Sequence, residues 1–125
     1  MRRVLYSVAM SLDGYIAGPG GEYDWIPDEP DIDWAAFLGR FDTVLMGRGT
    51  WEVLAAGEGE GPTSGMRTIV FSRTLDPAEH PDVEVVGRDA AGVVADLREE
   101  PGGKDVWLMG GGKLFRSLLE AGVVD

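Results

Sequence analysis

The chain has 125 residues, 44% of them hydrophobic and 26% charged, which suits one globular domain and excludes wholesale disorder. Lys and Arg number 11 against 22 Asp and Glu, a net charge of −11 that argues against generic binding to nucleic acid or to an anionic membrane. There is no cysteine, so disulfides, thiolate metal sites and cysteine nucleophiles are ruled out, and a reducing cytoplasm is the expected location.

In chain order, "MRRVLYSVAM" places two arginines before an apolar run, a superficial likeness to a signal peptide. The run is short, Ser7 and Ser11 interrupt or bound it, and an Asp13-Gly14 turn follows, so it reads as a strand, Val4–Met10. No segment approaches the roughly 18 apolar residues that span a membrane. A long loop, expected to be mobile, covers Leu12–Pro30. Trp34, Phe37, Leu38 and Phe41 then space as one helix face, with Asp31 or Asp28 as N-cap. A strand at Thr43–Met46 is followed by a short helix after Thr50, with Trp51, Leu54 and Ala55 at helical spacing. A second long loop covers 56–65. Strands follow at Thr68–Phe71 and Val83–Val86. A helix spans about Ala91–Glu99 with Val93, Val94 and Leu97 inward, and a strand covers Val106–Met109. The last helix runs from Lys113 to Ala121, with Gly122 as the C′ residue. "AGVVD" reads as a helix stop and the first residues of another strand. Strands apolar on both faces, alternating with helices, predict an α/β fold around a largely parallel sheet.

Three of the cations fall directly after strands: Arg48 in "TVLMGR", Arg73 in "TIVFSR" and Lys113 in "VWLMGGGK". Ligands of open α/β sheets bind outside the carboxyl ends of the strands. A basic rim in an acidic chain therefore suggests an anion site, with Thr50 and Ser72 as hydroxyl donors. Singly, each cation reads as an ordinary solvated side chain. Gly110, Gly111 and Gly112 sit between the last strand and the helix that opens near Lys113. Such glycines allow positive φ and close backbone approach to a phosphate at a helix N-terminus; the plainer alternative is a tight turn. "GGGKLF" fits neither the dinucleotide fingerprint nor the Walker A motif: Trp107 stands where the latter needs Gly, and Leu114 where it needs Ser or Thr. There is no GxSxG for a hydrolase. One His and no clustered carboxylates predict no metal site.

"VAMSLDGYIAG", "VLMGRGTWE", "TIVFSRT" and "VWLMGGGKLFRSLLEAGVVD", in that order, resemble the dihydrofolate reductase-like family. The match is nearer its branch related to the C-terminal reductase domain of bacterial riboflavin biosynthesis proteins (RibD), above all in "SLDGYIAGPGGEYDW". It covers essentially the whole chain. The resemblance implies a three-layer α/β/α sandwich with a mostly parallel sheet, a single domain over 1–125, and hydride transfer from NADPH to a small, heterocyclic or carbonyl-type substrate. It further implies that Gly47, Arg48 and Thr50 contact the cofactor's phosphates, and that Ser72 and Arg73 lie near the adenosine 2′-phosphate. By the same resemblance, Gly110, Gly111 and Gly112 face the pyrophosphate and nicotinamide ribose, with Lys113, Leu114 and Phe115 opening the helix there. Ala9 and Ile16 match positions whose backbone holds the carboxamide. Asp31 resembles the proton donor of folate reductases, although capping ranks ahead of catalysis for it, and Asp28, Glu29 and Asp33 crowd the register. A bound water is the other source of the proton.

The remaining conspicuous residues have plain readings. Asp13 forms a turn, Glu52 is an acid in the first turn of a helix, and His80 is an exposed turn residue. Trp25 either stacks on a substrate or folds its loop onto the core. Members of the family continue with further strands past the segment matching "EAGVVD", so the expectation is a C-terminally short domain with an open sheet edge. That leaves three options: a fragment, a homodimer pairing through the edge, or a truncated paralogue. The alternatives to a reductase are a non-catalytic nucleotide-binding or oligomer-forming member of the fold, and a flavin binder.

Overall fold

Strands apolar on both faces need cover on both sides. The computed structural model, which describes residues 1–27, 30–57, 61 and 63–125, supplies it. The strands are β1 (Val4–Tyr6), β2 (Phe41–Gly47), β3 (Arg67–Phe71), β4 (Glu84–Val86) and β5 (Asp105–Gly110). All pair in parallel, in the order β1-β5-β2-β3-β4. The helices are α1 (Trp34–Leu38), α2 (Arg48–Ala55), α3 (Ala90–Glu99) and α4 (Gly112–Glu120).

The period-2 alternation of each strand divides the core. Leu45, Ile69, Val106 and Leu108 point to one face and pack with Val94 and Leu97 of α3 and Leu118 of α4. Val44, Met46, Val70 and Trp107 point to the other, under Phe37 and Leu38 of α1 and Trp51 and Leu54 of α2. The result is the expected three-layer α/β/α sandwich, with its described sheet wholly parallel. Among the described residues no helix is long and apolar enough to cross a membrane.

Several boundaries differ from the sequence expectation, each for a local reason. β1 stops at Tyr6 instead of Met10, because its partner β5 pairs only as far as Leu108 before turning at the glycines; Met10 is 62% exposed. Phe41 opens β2, since α1 ends at Gly39. The N-cap of α1 is Asp33, whose Oδ1 accepts from the Ala36 N–H at 3.0 Å. Asp31 is exposed and does not cap; Asp28 and Glu29, like part of the 56–65 loop, lie outside the described residues. α2 starts at Arg48, so Glu52 sits in its second turn and accepts from Arg48 Nε at 2.7 Å. His80 is half-buried, its ring 4.6 Å from that of Trp51 in an edge-on contact. α4 ends as expected near Gly122 (φ +74°). The Val123 N–H donates to Leu118 O and the Gly122 N–H to Leu119 O, the Schellman pattern, and this tucks Val123 into the core. The last residue lies beside β1, where the Asp125 N–H donates to Val4 O at 2.9 Å.

At the amino edge of the sheet the charges are tightly paired. Buried Arg2 bonds Asp42, Thr43 Oγ1 (3.0 Å), Glu100 (3.3 Å) and Lys104 O (2.7 Å). Arg67 grips Glu84 with two bonds of 2.5 and 2.9 Å. The hydrogen bond from Arg67 holds the Glu84 carboxyl below its ordinary value, against the opposing effect of burial. At Asp42 burial pushes upward but is outweighed by bonds from the Lys104 N–H and Thr43 and by the Arg2 charge, so the net direction is down. A carboxyl lowered in the fold stabilises it above the unfolded pKa and loses that contribution as pH falls through the folded value. The melting temperature should therefore decline as pH drops from about 5 to about 3. A Glu84→Gln variant, monitored by circular dichroism, should lose less over that range than wild type.

Candidate functional site

The helices after the adjacent strands β2 and β5 leave to opposite faces: α2 covers one cluster and α4 the other. That divergence opens a crevice at the carboxyl ends of the strands, where α/β sheets bind ligands. A cavity of about 320 Å³ lies there, lined by Gly47, Arg48, Gly49 and Thr50 from the start of α2 and by Gly111, Gly112, Lys113 and Leu114 from the start of α4. Both helices have glycine N-caps with no side-chain cap, whereas α1 and α3 are capped by Asp33 and Asp89. The first N–H groups of α2 and α4 thus border the crevice without a side-chain acceptor.

The glycines divide by purpose. Gly110 is buried at φ +150°, a conformation that side chains rarely adopt. Gly111 has φ −90°, and a Cβ there would meet nothing within 4 Å; the same open space surrounds a Cβ at Gly49. Neither backbone strain nor packing accounts for these two glycines, and both border the cavity.

Strand register builds a second cavity beside the first. Gly47 pairs with Phe71, and Phe71 with Val86. Arg48, Ser72 and Gly87 therefore leave the sheet side by side, and Arg73 and Arg88 each follow one residue later. The Ser72 N–H donates to Val86 O at 3.0 Å and fixes this alignment. The cavity, of about 420 Å³, is lined by Ser72, Arg73, Gly87, Arg88, Asp89 and Ser117 among others. Ser117 is four residues beyond Lys113, one turn along α4, so that helix borders both cavities.

The charges at this rim behave unlike those elsewhere. Arg2, Arg3, Arg48, Arg67, Arg98 and Arg116 all form ion pairs. Lys104 donates to Gly39 O, and Arg40 lies over the Phe41 ring. Among the described residues only Arg73, Arg88 and Lys113 have no hydrogen-bonding, ionic or cation–π partner, and all three line the two cavities. Arg73 and Arg88 stand at matched register, two cations with no carboxylate bonded to either among the described residues.

The expected residues sort clearly. Gly47, Arg48, Thr50, Gly111, Gly112, Lys113 and Leu114 meet at the first cavity, and Ser72 and Arg73 at the second. Ile16 reaches the first cavity's edge, its Cδ1 3.9 Å from where a Gly112 Cβ would be. Phe115 turns inward and stacks on Tyr6 at 3.9 Å, so its ring belongs to the core; burial there pushes the Tyr6 hydroxyl up. Ala9 and Asp31 are exposed and line neither cavity. Arg88 and Ser117 were missed by sequence reasoning. Arg88 carried a usable signal, since "VEVVGR" repeats the strand-then-arginine pattern of "TVLMGR" and "TIVFSR". Ser117 carried none.

The model of the RibD C-terminal domain matches residues 2–125. The chain belongs to this family. It is 31% identical over 135 residues to the uncharacterized protein YyaP of Bacillus subtilis (strain 168), covering 99% of this chain and 71% of YyaP. It is 30% identical over 112 residues to dihydrofolate reductase of Mycobacterium tuberculosis, covering 89% of this chain and 61% of that enzyme. Among solved structures, a protein assigned to riboflavin biosynthesis from Shewanella sp. PV-4 superposes with a TM-score of 0.78 at 27% identity, over 100% of this chain and 73% of the other. The Thermotoga maritima diaminohydroxyphosphoribosylaminopyrimidine deaminase/5-amino-6-(5-phosphoribosylamino)uracil reductase gives 0.62 at 26%, over 95% of this chain and 42% of that one. The fold is thus the dihydrofolate reductase-like one that the motifs resembled, and it is of a reductase type.

Gly49 lies within α2, where glycine costs about 0.5–1 kcal/mol relative to alanine. With open space at its Cβ position, Gly49→Ala should leave the melting temperature unchanged or raise it by a few degrees. A clear drop in thermal denaturation would show a packing role for this glycine.

Proposed function

We propose that this RibD C-terminal domain is an NADPH-dependent reductase of a small heterocyclic or carbonyl-type substrate. The observation that carries this reading is the set of unpartnered cations, Arg73, Arg88 and Lys113, along two adjoining cavities of an acidic chain. Two cavities, each with its own cations, suit a ligand with two separate phosphate groups. The second cavity, with Arg73, Arg88, Ser72 and Ser117, suits the dianionic 2′-phosphate. The first, with Lys113 and the N–H groups of α2 and α4, suits the pyrophosphate. The bare Gly111 and Gly49 let the ligand's phosphates approach the protein backbone closely.

When bound, NADPH supplies the hydride, and the reactivity is its own. The protein's part is to bind, orient and exclude water. Gly47, Arg48, Thr50, Gly110, Gly112 and Leu114 shape the crevice, Ile16 borders its edge, Ala9 is assigned to the nicotinamide end by the resemblance alone, and Phe115 fixes α4 from beneath by stacking on Tyr6. Asp31 does not cap α1, because Asp33 does, and it lines neither cavity, so its place as proton donor rests on the resemblance to folate reductases alone, with a bound water as the other source. Asp31→Asn should lower kcat without changing NADPH affinity; unchanged kcat would assign the proton to water.

Calorimetric titration tests the cofactor. NADPH should bind more tightly than NADH. Arg73→Ala and Arg88→Ala should each weaken NADPH binding by roughly 10- to 100-fold, from loss of a charge-assisted contact worth about 1.5–3 kcal/mol. NADH binding should change little. Equal losses for both dinucleotides would contradict the 2′-phosphate assignment. Gly111→Ala should abolish binding of either with the fold intact.

A further inference from the structure

Arg48 emerges at the crevice but its guanidinium is already committed. Nε donates to Glu52 Oε1 at 2.7 Å, and Nη1 donates to the hydroxyl of Thr74 on the neighbouring turn. Thr74 Oγ1 lies 3.3 Å from Ser72 Oγ. Ser72 Oγ accepts the backbone N–H groups of Thr74 and Leu75, each at 3.2 Å. A hydroxyl oxygen has two lone pairs and one proton. With both Ser72 lone pairs taken, its proton is the one directed at Thr74 Oγ1. That oxygen then receives two donors, Ser72 and Arg48. A continuous chain of hydrogen bonds, Glu52–Arg48–Thr74–Ser72, therefore runs from the first cavity to the second. Thr74 itself lines neither cavity.

The turn it serves carries an exposed cation. Arg73 sits on it, opposite the like charge of Arg88. Its other ties are the Ser72 N–H bond to Val86 O, the two backbone bonds to Ser72 Oγ and the packing of Leu75 on the core beneath α1 and α2. We infer that Thr74 is a positioning residue: its hydroxyl, by accepting from both Arg48 and Ser72, locks the Ser72–Arg73 turn to the start of α2 and so fixes the spacing between the two anion sites. Arg48 acts here as a strut for that turn. The inference rests on the NADPH reading for its consequence in binding, but the strut itself can be tested without ligand.

The decisive substitutions are Thr74→Val, which keeps the shape and removes the acceptor, and Thr74→Ser, which keeps the acceptor. The first measurement is amide hydrogen exchange on the free chain. Thr74→Val should speed exchange at Thr74 and Leu75 by about five- to tenfold, and Thr74→Ser should not. Arg48→Gln combined with Thr74→Val should be no faster than the faster single variant, since both cut the same chain. Unchanged exchange in Thr74→Val, or additive effects, would overturn the strut. The second measurement is the ratio of NADPH to NADH affinity by calorimetry. Thr74→Val should lower it about tenfold, and Thr74→Ser should retain it. Faster exchange with an unaltered ratio would overturn the spacing role. If the wild-type chain binds neither dinucleotide, the NADPH reading fails and the spacing role with it, and the exchange data alone decide the strut.

Discussion

The parallel register of β2, β3 and β4 is the constraint on which the site depends. Parallel strands that end level with one another release their next residues at one edge. Gly47, Phe71 and Val86 are paired, so the residues after them emerge together although the chain separates them by tens of positions. β5 adds its glycine turn at the same edge by lying between β1 and β2. Because α2 and α4 then cross to opposite faces, this edge is open, and two helix N-termini border the opening.

Electrostatics separates the two ends of the sheet. At the amino edge, Arg2 and Arg67 are saturated by Asp42, Glu84 and Glu100. At the carboxyl edge, Arg73, Arg88 and Lys113 have no such partners among the described residues. With twice as many acids as bases, a partner for each cation was readily available to the sequence. Like charges kept adjacent and unpaired cost stability unless something else compensates. On the proposed function, a phosphorylated ligand supplies that compensation. Arg48 shows the contrast, since its ion pair and its bond to Thr74 make it part of the framework around the same crevice.

The layered architecture was legible because both signals that define it are local: apolar strands covered on two faces, and helical spacing between them. Boundaries were less so. Apolarity carries no information about where a strand loses its partner, so the sequence pattern of β1 runs on to Met10. Phe41 fits the spacing of α1 and the alternation of β2 equally well, and only the Gly39 C-cap separates them. Four acids crowd the start of α1, and geometry selects Asp33. The cation rim was partly legible from the strand-then-basic pattern, which extends to Arg88. The strut was not, because the Arg48–Thr74 contact depends on the pairing of β2 with β3, and no local pattern reports that. The resemblance puts Phe115 on the cofactor's side, and helical geometry turns it onto Tyr6.

On the proposed function, the unpartnered cations are held for a ligand with separated phosphates. The most direct measurement is side-chain nitrogen NMR of the arginine Nε and lysine Nζ groups during titration with NADPH. Arg73, Arg88 and Lys113 should shift and become protected from exchange, while Arg2, Arg67 and Arg116, already paired elsewhere, stay unchanged. Saturable binding that leaves Arg73 and Arg88 unmoved, or no response from any of the three, would contradict it.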